Sequence, residues 1–153
     1  MYVNGAKSSP EKVTSGIPQG SVLGPVLFVM YINDLSENIL SNLYMFADDT
    51  KIFRAQKSEY DHKCLQNDLE TLENWSKKWS LSFHPDKCIH MHLSRFPRNE
   101  TRSYKLFGQT LGKSDCEKDL GVYIDSELSF EKHISEKVEN LIKVKNSEKS
   151  QKI

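Results

Sequence analysis

No apolar run in this sequence is long enough to cross a bilayer. The longest, Val22 to Ile32, is broken by Gly24-Pro25 and falls well short of the ~20 residues that a spanning helix needs, so no membrane partner is expected. No signal peptide opens the chain, and an intracellular, non-secreted protein is expected, in cytoplasm or nucleus. Cysteine is scarce: Cys64, Cys88 and Cys116 are odd in number and form no CxxC pair. They suggest neither a disulfide framework nor a zinc site and read as ordinary intracellular thiols. Neither sign of charge is in excess, with 21 Lys plus Arg against 21 Asp plus Glu. The balance gives no basic signature for nucleic acid, although it leaves room for a local groove. There is no internal repeat, and 153 residues is a one-domain length with a modest core.

What the chain does have is an acidic pair between two β-favouring segments. Leu43-Tyr44-Met45 precedes Phe46-Ala47-Asp48-Asp49, and Thr50-Lys51-Ile52-Phe53 follows it. This reads as a hairpin with two carboxylates at its tip. Adjacent carboxylates repel and add nothing to a core, but hard cations such as Mg²⁺ prefer clustered carboxylate oxygens. An ordinary acidic turn is the alternative for the pair taken alone, since Asp favours turns.

In chain order, Tyr2 to Thr14 suggests a small hairpin: Tyr2-Val3, a turn at Asn4-Gly5, a polar loop through Ser8-Ser9-Pro10, then Lys12-Val13-Thr14. Ser15-Gly16-Ile17-Pro18-Gln19-Gly20-Ser21 then leads into a helix expected over Val22 to Asp34, capped by Ser21, with Pro25 tolerated in its first turn. That helix is apolar nearly all round, so burial is expected. A loop of this kind offers backbone N–H groups to an anion or a sugar. Ser58 to Trp79 shows helical spacing through Leu65, Leu69, Leu72, Trp75 and Trp79, with a capping box at Ser58 and Asp61. The stripe is read as core, together with Phe28; a base-stacking platform is the alternative for Trp75 or Trp79. Leu81–Phe83 and Cys88–Leu93 look like a strand pair about His84-Pro85-Asp86-Lys87. His90 and His92 alternate onto one face, read as solvated because no third metal ligand is near. Tyr104–Phe107 and Leu120–Ile124 are further strands, and Ser129 caps a helix lined by Phe130, Ile134, Val138, Leu141 and Ile142. Residues Lys143 to Ile153 are polar and aperiodic, and a disordered tail is expected.

The ordered set Ser15 to Pro25, Tyr31-Ile32-Asn33-Asp34-Leu35, Phe46-Ala47-Asp48-Asp49-Thr50, Trp75-Ser76-Lys77-Lys78-Trp79, Lys87-Cys88 and Lys118 to Asp125 resembles the reverse transcriptase of non-LTR retrotransposons. The match runs from about residue 2 to residue 142, with the motifs in the family's order. It implies an α+β fold, the palm subdomain of a right-hand polymerase with a small antiparallel sheet backed by helices. Residues 1–142 would be a partial palm with the start of a thumb, and 143–153 a polar tail. The resemblance places Gln19 and Gly20, with Phe46 and Ala47, at the incoming nucleotide. It makes Asp48 and Asp49 catalytic metal ligands, Asp48 foremost. Lys87 lies near the departing pyrophosphate, an exposed turn lysine being the alternative, and Leu120-Gly121 meets the primer. The implied cofactor is Mg²⁺ and the implied partners are an RNA template, a DNA primer and deoxynucleotide triphosphates.

One departure qualifies this. Nucleotidyl transfer is an in-line attack of a 3′-hydroxyl on an α-phosphate, with two metal ions about 3.5–4 Å apart on the attacking and leaving oxygens. The family carries a further catalytic aspartate before the Pro-Gln-Gly loop, whereas here no Asp precedes Gly16 and Glu11 is the only carboxylate there. The palm is therefore read as incomplete on its N-terminal side. A polymerase fragment inactive alone is the first reading. An enzyme completed by another chain is the second, and a non-catalytic nucleic-acid-binding or interaction module on a palm scaffold the third.

Overall fold

The computed structural model describes residues 2–3, 5–7, 9, 12, 20–94 and 102–150, without the side chains of 2–3 and 144–150. The chain divides into two units, Met1–Ala55 and Gln56–Ile153, at a boundary that no Pro or Gly marks.

In the first unit, β1 (Tyr2–Val3) pairs antiparallel with β2 (Ala6–Lys7), and Gly5 takes a φ of +81° in the two-residue connection. The chain turns back at Gly5 as expected, because glycine enters the left-handed region without a Cβ clash, but the returning strand is Ala6–Lys7 and not the Lys12-Val13-Thr14 expected, of which Val13 and Thr14 lie outside the described residues. Helix α1 (Leu23–Tyr31) is shorter than the Val22–Asp34 span expected. Ser21 Oγ accepts from the Gly24 N–H at 2.9 Å, as a capping serine should. After Ile32 the chain descends through successive turns, in which Leu35, Glu37 and Ile39 each donate to the carbonyl three residues back. The burial expected of α1 is corrected. Leu23, Val26, Leu27, Val29 and Met30 are all more than half exposed, and Phe28 is half-buried. Among the described residues of this unit, Ile32 and Leu35, in the turns beyond, are the large apolar side chains that are buried. A short unit has too little mass to cover a helix that is apolar on every side. Strands β3 (Asn42–Phe46) and β4 (Asp49–Phe53) complete it as an antiparallel pair.

The second unit is built on α2 (Glu59–Trp79). Its capping box forms as the sequence predicts: Ser58 Oγ accepts from Asp61 N–H, while Asp61 Oδ2 accepts from Ser58 N–H at 3.0 Å. At the far end Ser80 turns left-handed, and the Ser76 hydroxyl donates to the Leu81 carbonyl at 2.6 Å. One face of α2 buries Cys64, Leu69, Leu72 and Trp75, with Leu65 half-buried. Tyr104 and Leu106 are also buried, the latter on β6 (Lys105–Leu106), which packs on α2 and forms a hairpin with β7 (Gln109–Thr110). Side-chain amides fix this docking. Gln66 donates to the Lys105 carbonyl and accepts from the Lys105 N–H, both at 3.0 Å, as a neighbouring strand would. Glu73 accepts from the Phe107 N–H in the hairpin turn.

The strand pair expected about His84–Lys87 does not form. Residues Pro85–Lys87 make a 3₁₀ turn, Leu81–Phe83 has no strand, and β5 (Ile89–His90) pairs parallel with β8 (Gly112–Lys113). Proline at the start of the turn favours helical backbone, and the partner that wins lies more than twenty residues on. The solvated histidine face is corrected too: His90 and His92 are half-buried. Tyr104 lies between the rings of His62 and His90, at 4.6 and 4.8 Å.

Strands β9 (Cys116–Asp119) and β10 (Val122–Asp125) form the last hairpin, and α3 runs from Glu131 to Ser150. The helix therefore continues as far as Ser150 through residues whose polar composition predicts a disordered tail. No Gly or Pro interrupts 131–150, and Lys and Glu are good helix formers. Helices and strands are mixed, as the α+β expectation requires. Among the described residues, however, the strands pair only two by two, in five separate ladders rather than one small sheet.

Candidate functional site

The acidic hairpin is in place. Phe46 pairs with Asp49, which leaves Ala47 and Asp48 as a two-residue turn. Asp48 sits in the turn itself and Asp49 opens β4, and both are exposed. Ala47 holds a φ of 52°, in the left-handed region that a Cβ disfavours. Strain of this kind at a short turn persists only where the flanking ladder holds it. On one face of the ladder Tyr44 and Phe53, diagonal neighbours, stack at 5.2 Å with their planes 2° apart. Phe46 lies on that face beside Asp49 and is 62% exposed. The result is a braced strand pair that presents two carboxylates and an aromatic ring at its tip.

Gly20 has a φ of +80° in the approach to α1, with nothing within 4 Å of where a Cβ would stand. Its conformation, not crowding, is what a side chain would oppose there. Gln19 lies outside the described residues. Phe46, Ala47, Asp48 and Asp49 are thus brought together by one turn, with Gly20 in the same unit.

Lys87, Leu120 and Gly121 belong to the second unit. Lys87 closes the 3₁₀ turn and is exposed, next to Asp86, whose carboxylate accepts from Gln109. Val122 pairs with Asp119, so Leu120 and Gly121 form a tight turn with φ of 45° and 86°. Two positive φ values match the mirror-image turn that the twist of a hairpin favours. The Leu120–Ile124 strand expected from sequence therefore begins only at Val122. Beyond it, Asp125 organises the entry to α3. Its carboxylate accepts from the N–H groups of Glu127, Ser129 and Phe130 and from the Ser129 hydroxyl. The Ser129 N–H foremost, with the other donors, holds the Asp125 carboxyl below its usual range against a smaller opposing effect of burial. Ser129 Oγ in turn accepts from Glu131 N–H, the cap expected of it. Sequence reading missed this clamp, although an Asp four residues before a capping Ser is a visible signal.

Burial pushes the Cys88 thiol up, which makes it a poor nucleophile and agrees with its reading as an ordinary thiol. Among the described residues, no three His, Cys, Asp or Glu side chains converge as metal ligands. The adjacent carboxylates of Asp48 and Asp49 offer oxygen donors of the hard kind that Mg²⁺ prefers, and one turn does not enclose two ions.

Comparison with known proteins identifies the family of the chain as a whole. A reverse transcriptase (RNA-dependent DNA polymerase) family profile matches residues 1–124. The RNA-directed DNA polymerase from mobile element jockey of Drosophila melanogaster is 31% identical over 149 residues, covering 88% of this chain and 16% of that protein. Its counterpart from Drosophila funebris is 28% identical over 144 residues, with the same two coverages of 88% and 16%. A protein named probable RNA-directed DNA polymerase from transposon BS, of Drosophila melanogaster, is 32% identical over 147 residues, again covering 88% and 16%. The chain thus spans about one-sixth of the length of these relatives. No solved structure matches it. With most of its length matched and the acidic turn in place, the chain belongs to the reverse transcriptase (RNA-dependent DNA polymerase) family, as its ordered transposable-element motifs imply.

Proposed function

We propose that this chain is part of the palm of a right-hand RNA-directed DNA polymerase and that these 153 residues do not extend a primer by themselves. The observation that carries the reading is the turn at Ala47-Asp48, which presents Asp48 and Asp49 to solvent on a braced strand pair in a chain of this family. In the working polymerase Asp48 would be the principal ligand for Mg²⁺ and Asp49 a supporting one. A bound pair of such ions would stabilise the attacking and leaving oxygens of nucleotidyl transfer. Gln19 and Gly20, with Phe46 and Ala47, would border the incoming deoxynucleotide. Lys87 would place its ammonium near the departing pyrophosphate, and the Leu120-Gly121 turn would meet the end of a DNA primer on its RNA template.

Inactivity of these residues alone follows from two deficits. No Asp precedes Gly16, so Asp48 and Asp49 lack the opposing carboxylate that a second metal needs. These residues also span about one-sixth of the length of their relatives, and the positioning of template and primer that the rest would share is worth up to about 7–11 kcal/mol of a reaction barrier. Either deficit brings turnover below detection. The test is primer extension on an RNA template with Mg²⁺ and all four deoxynucleotides, with Asp48→Ala reporting contaminating polymerase. No extension is expected. Extension that disappears in Asp48→Ala would overturn the inactivity and keep the role of Asp48. Template–primer binding without extension, unchanged by Asp48→Ala, would favour a non-catalytic nucleic-acid module instead.

A further inference from the structure

The polymerase reading gives Lys87 a task but leaves open what holds its turn in place. Within the 3₁₀ turn the backbone bonds are local: Lys87 N–H donates to the His84 carbonyl at 2.9 Å, and Cys88 N–H to the Pro85 carbonyl at 3.0 Å. Bonds of this span shape a turn without fixing it to anything else. Asp86 makes the outward connection. Its Oδ1 accepts from the side-chain amide of Gln109, 23 residues on in β7.

The strand that carries Gln109 is itself secured. Gln109 pairs across the hairpin with Leu106, which is buried. The turn between them, Phe107-Gly108, has φ values of 50° and 75°, and its Phe107 N–H donates to Glu73 of α2. Lys77, one helical turn further on, meets Glu73 at 3.9 Å, and its ammonium lies 5.8 Å from the centre of the Phe107 ring. With the bonds between Gln66 and Lys105, the β6–β7 hairpin is held to α2 at two points and offers Gln109 on a fixed frame. Asp86 and Gln109 are both exposed, so core packing does not account for their pairing. The bond also has an electrostatic sense. A carboxylate one residue from an ammonium that is to meet phosphate opposes the incoming anion, and the Gln109 amide gives this carboxylate a partner on β7.

We propose that Gln109 is a positioning residue for Lys87: acting through Asp86, it fixes the 3₁₀ turn so that the Lys87 ammonium is presented to pyrophosphate. This rests on the reading of Lys87 as the group near the departing pyrophosphate. Gln109 works through the turn and not by contact with the substrate.

The probe is pyridoxal 5′-phosphate, an aldehyde that carries a phosphate and forms an imine with a lysine amine beside a phosphate site. Borohydride reduction and tryptic mass spectrometry then give the labelling rate at each lysine of the full chain, with and without pyrophosphate. Pyrophosphate should suppress labelling at Lys87 and not at Lys63, an exposed lysine of α2. Gln109→Ala should lower the Lys87 rate by roughly two- to twelvefold, the span expected of one hydrogen bond, and leave Lys63 unchanged. Gln109→Glu, which sets a second carboxylate against Asp86, should lower it too. Asp86→Asn, whose amide oxygen still accepts from Gln109, should keep at least the natural rate. In an Asp86→Ala background Gln109→Ala should have no further effect, because Gln109 then has no carboxylate to act on. Protection of Lys87 by pyrophosphate in the natural chain, with equal labelling in Gln109→Ala, overturns the positioning role and leaves the Lys87 reading standing. A fall shared by Lys63, or one that persists in the Asp86→Ala background, overturns it as well, in favour of a general structural effect. Labelling of Lys87 that pyrophosphate does not suppress in the natural chain overturns both.

Discussion

Asp125 shows how one carboxylate can set the course of a chain. Its two oxygens gather three N–H groups and a hydroxyl from the four residues between Ser126 and Glu131, and so hold Leu128 and Phe130 at φ values of 59°. Because the Ser129 N–H above all lowers its pKa from the usual 3.8, the folded protein takes up this proton less readily than the unfolded chain. The contribution to stability is therefore present above the ordinary carboxylate range and disappears as pH falls through the lower, folded value. Asp125→Asn places an amide N–H donor among groups that need an acceptor. Its thermal midpoint should lie below that of the natural chain at pH 6, and the gap should narrow as pH falls below the ordinary carboxylate range. An unchanged midpoint at pH 6 would show that the clamp does not matter. At this scale the sequence is a fair guide to chemistry and a poor one to backbone. The acidic turn at Asp48-Asp49 is readable because Asp favours turns and two together serve no core. The left-handed conformations of Ala47 and Leu120 are not readable, since neither residue favours them and only the ladders on either side impose them.

Helix α2 is the element whose sequence and structure agree best. Its period, its capping box and its buried face all lie within one stretch of chain, so local rules suffice to find them. Trp75 is the anchor of that face, 9% exposed, with the rings of Trp79 and Phe83 each 6.5 Å away. Trp75→Ala should cost about 3–5 kcal/mol, a large share of the stability of a domain this small. Urea denaturation followed by far-UV circular dichroism checks it, and a midpoint equal to that of the natural chain would refute the packing. Trp79 is half-buried with the Lys78 ammonium 4.9 Å from its ring, which leaves its apolar role only partly met within α2. Elements that depend on distant partners were harder to read. The pairing of β5 with β8 involves residues outside any local window, and Gln66 stands in for a strand neighbour in a way that no periodicity signals. Helix α1 fails differently: its all-round apolar character predicts burial, but burial depends on what else is there to cover it.

Taken whole, the molecule is a set of local pieces. Among the described residues, four of the five strand ladders join neighbours in sequence, β1 with β2, β3 with β4, β6 with β7 and β9 with β10. This modular pattern explains why the α+β character was legible while a single continuous sheet, expected from the resemblance, was not found among the described residues. It also has a consequence in time. A hairpin needs only its own residues and closes in about 1–10 μs, and chains dominated by near-neighbour contacts fold fastest. Refolding from urea in a stopped-flow instrument, followed by tryptophan fluorescence, should therefore be complete within milliseconds to tens of milliseconds; a main phase lasting seconds would contradict the local character of the topology. The slowest step should be the closure that brings Arg102 onto Gln56 and Lys105 onto Gln66, across separations of 46 and 39 residues. During synthesis on the ribosome, the acidic hairpin is able to form as soon as Phe53 has emerged, long before its distant neighbours in the chain exist.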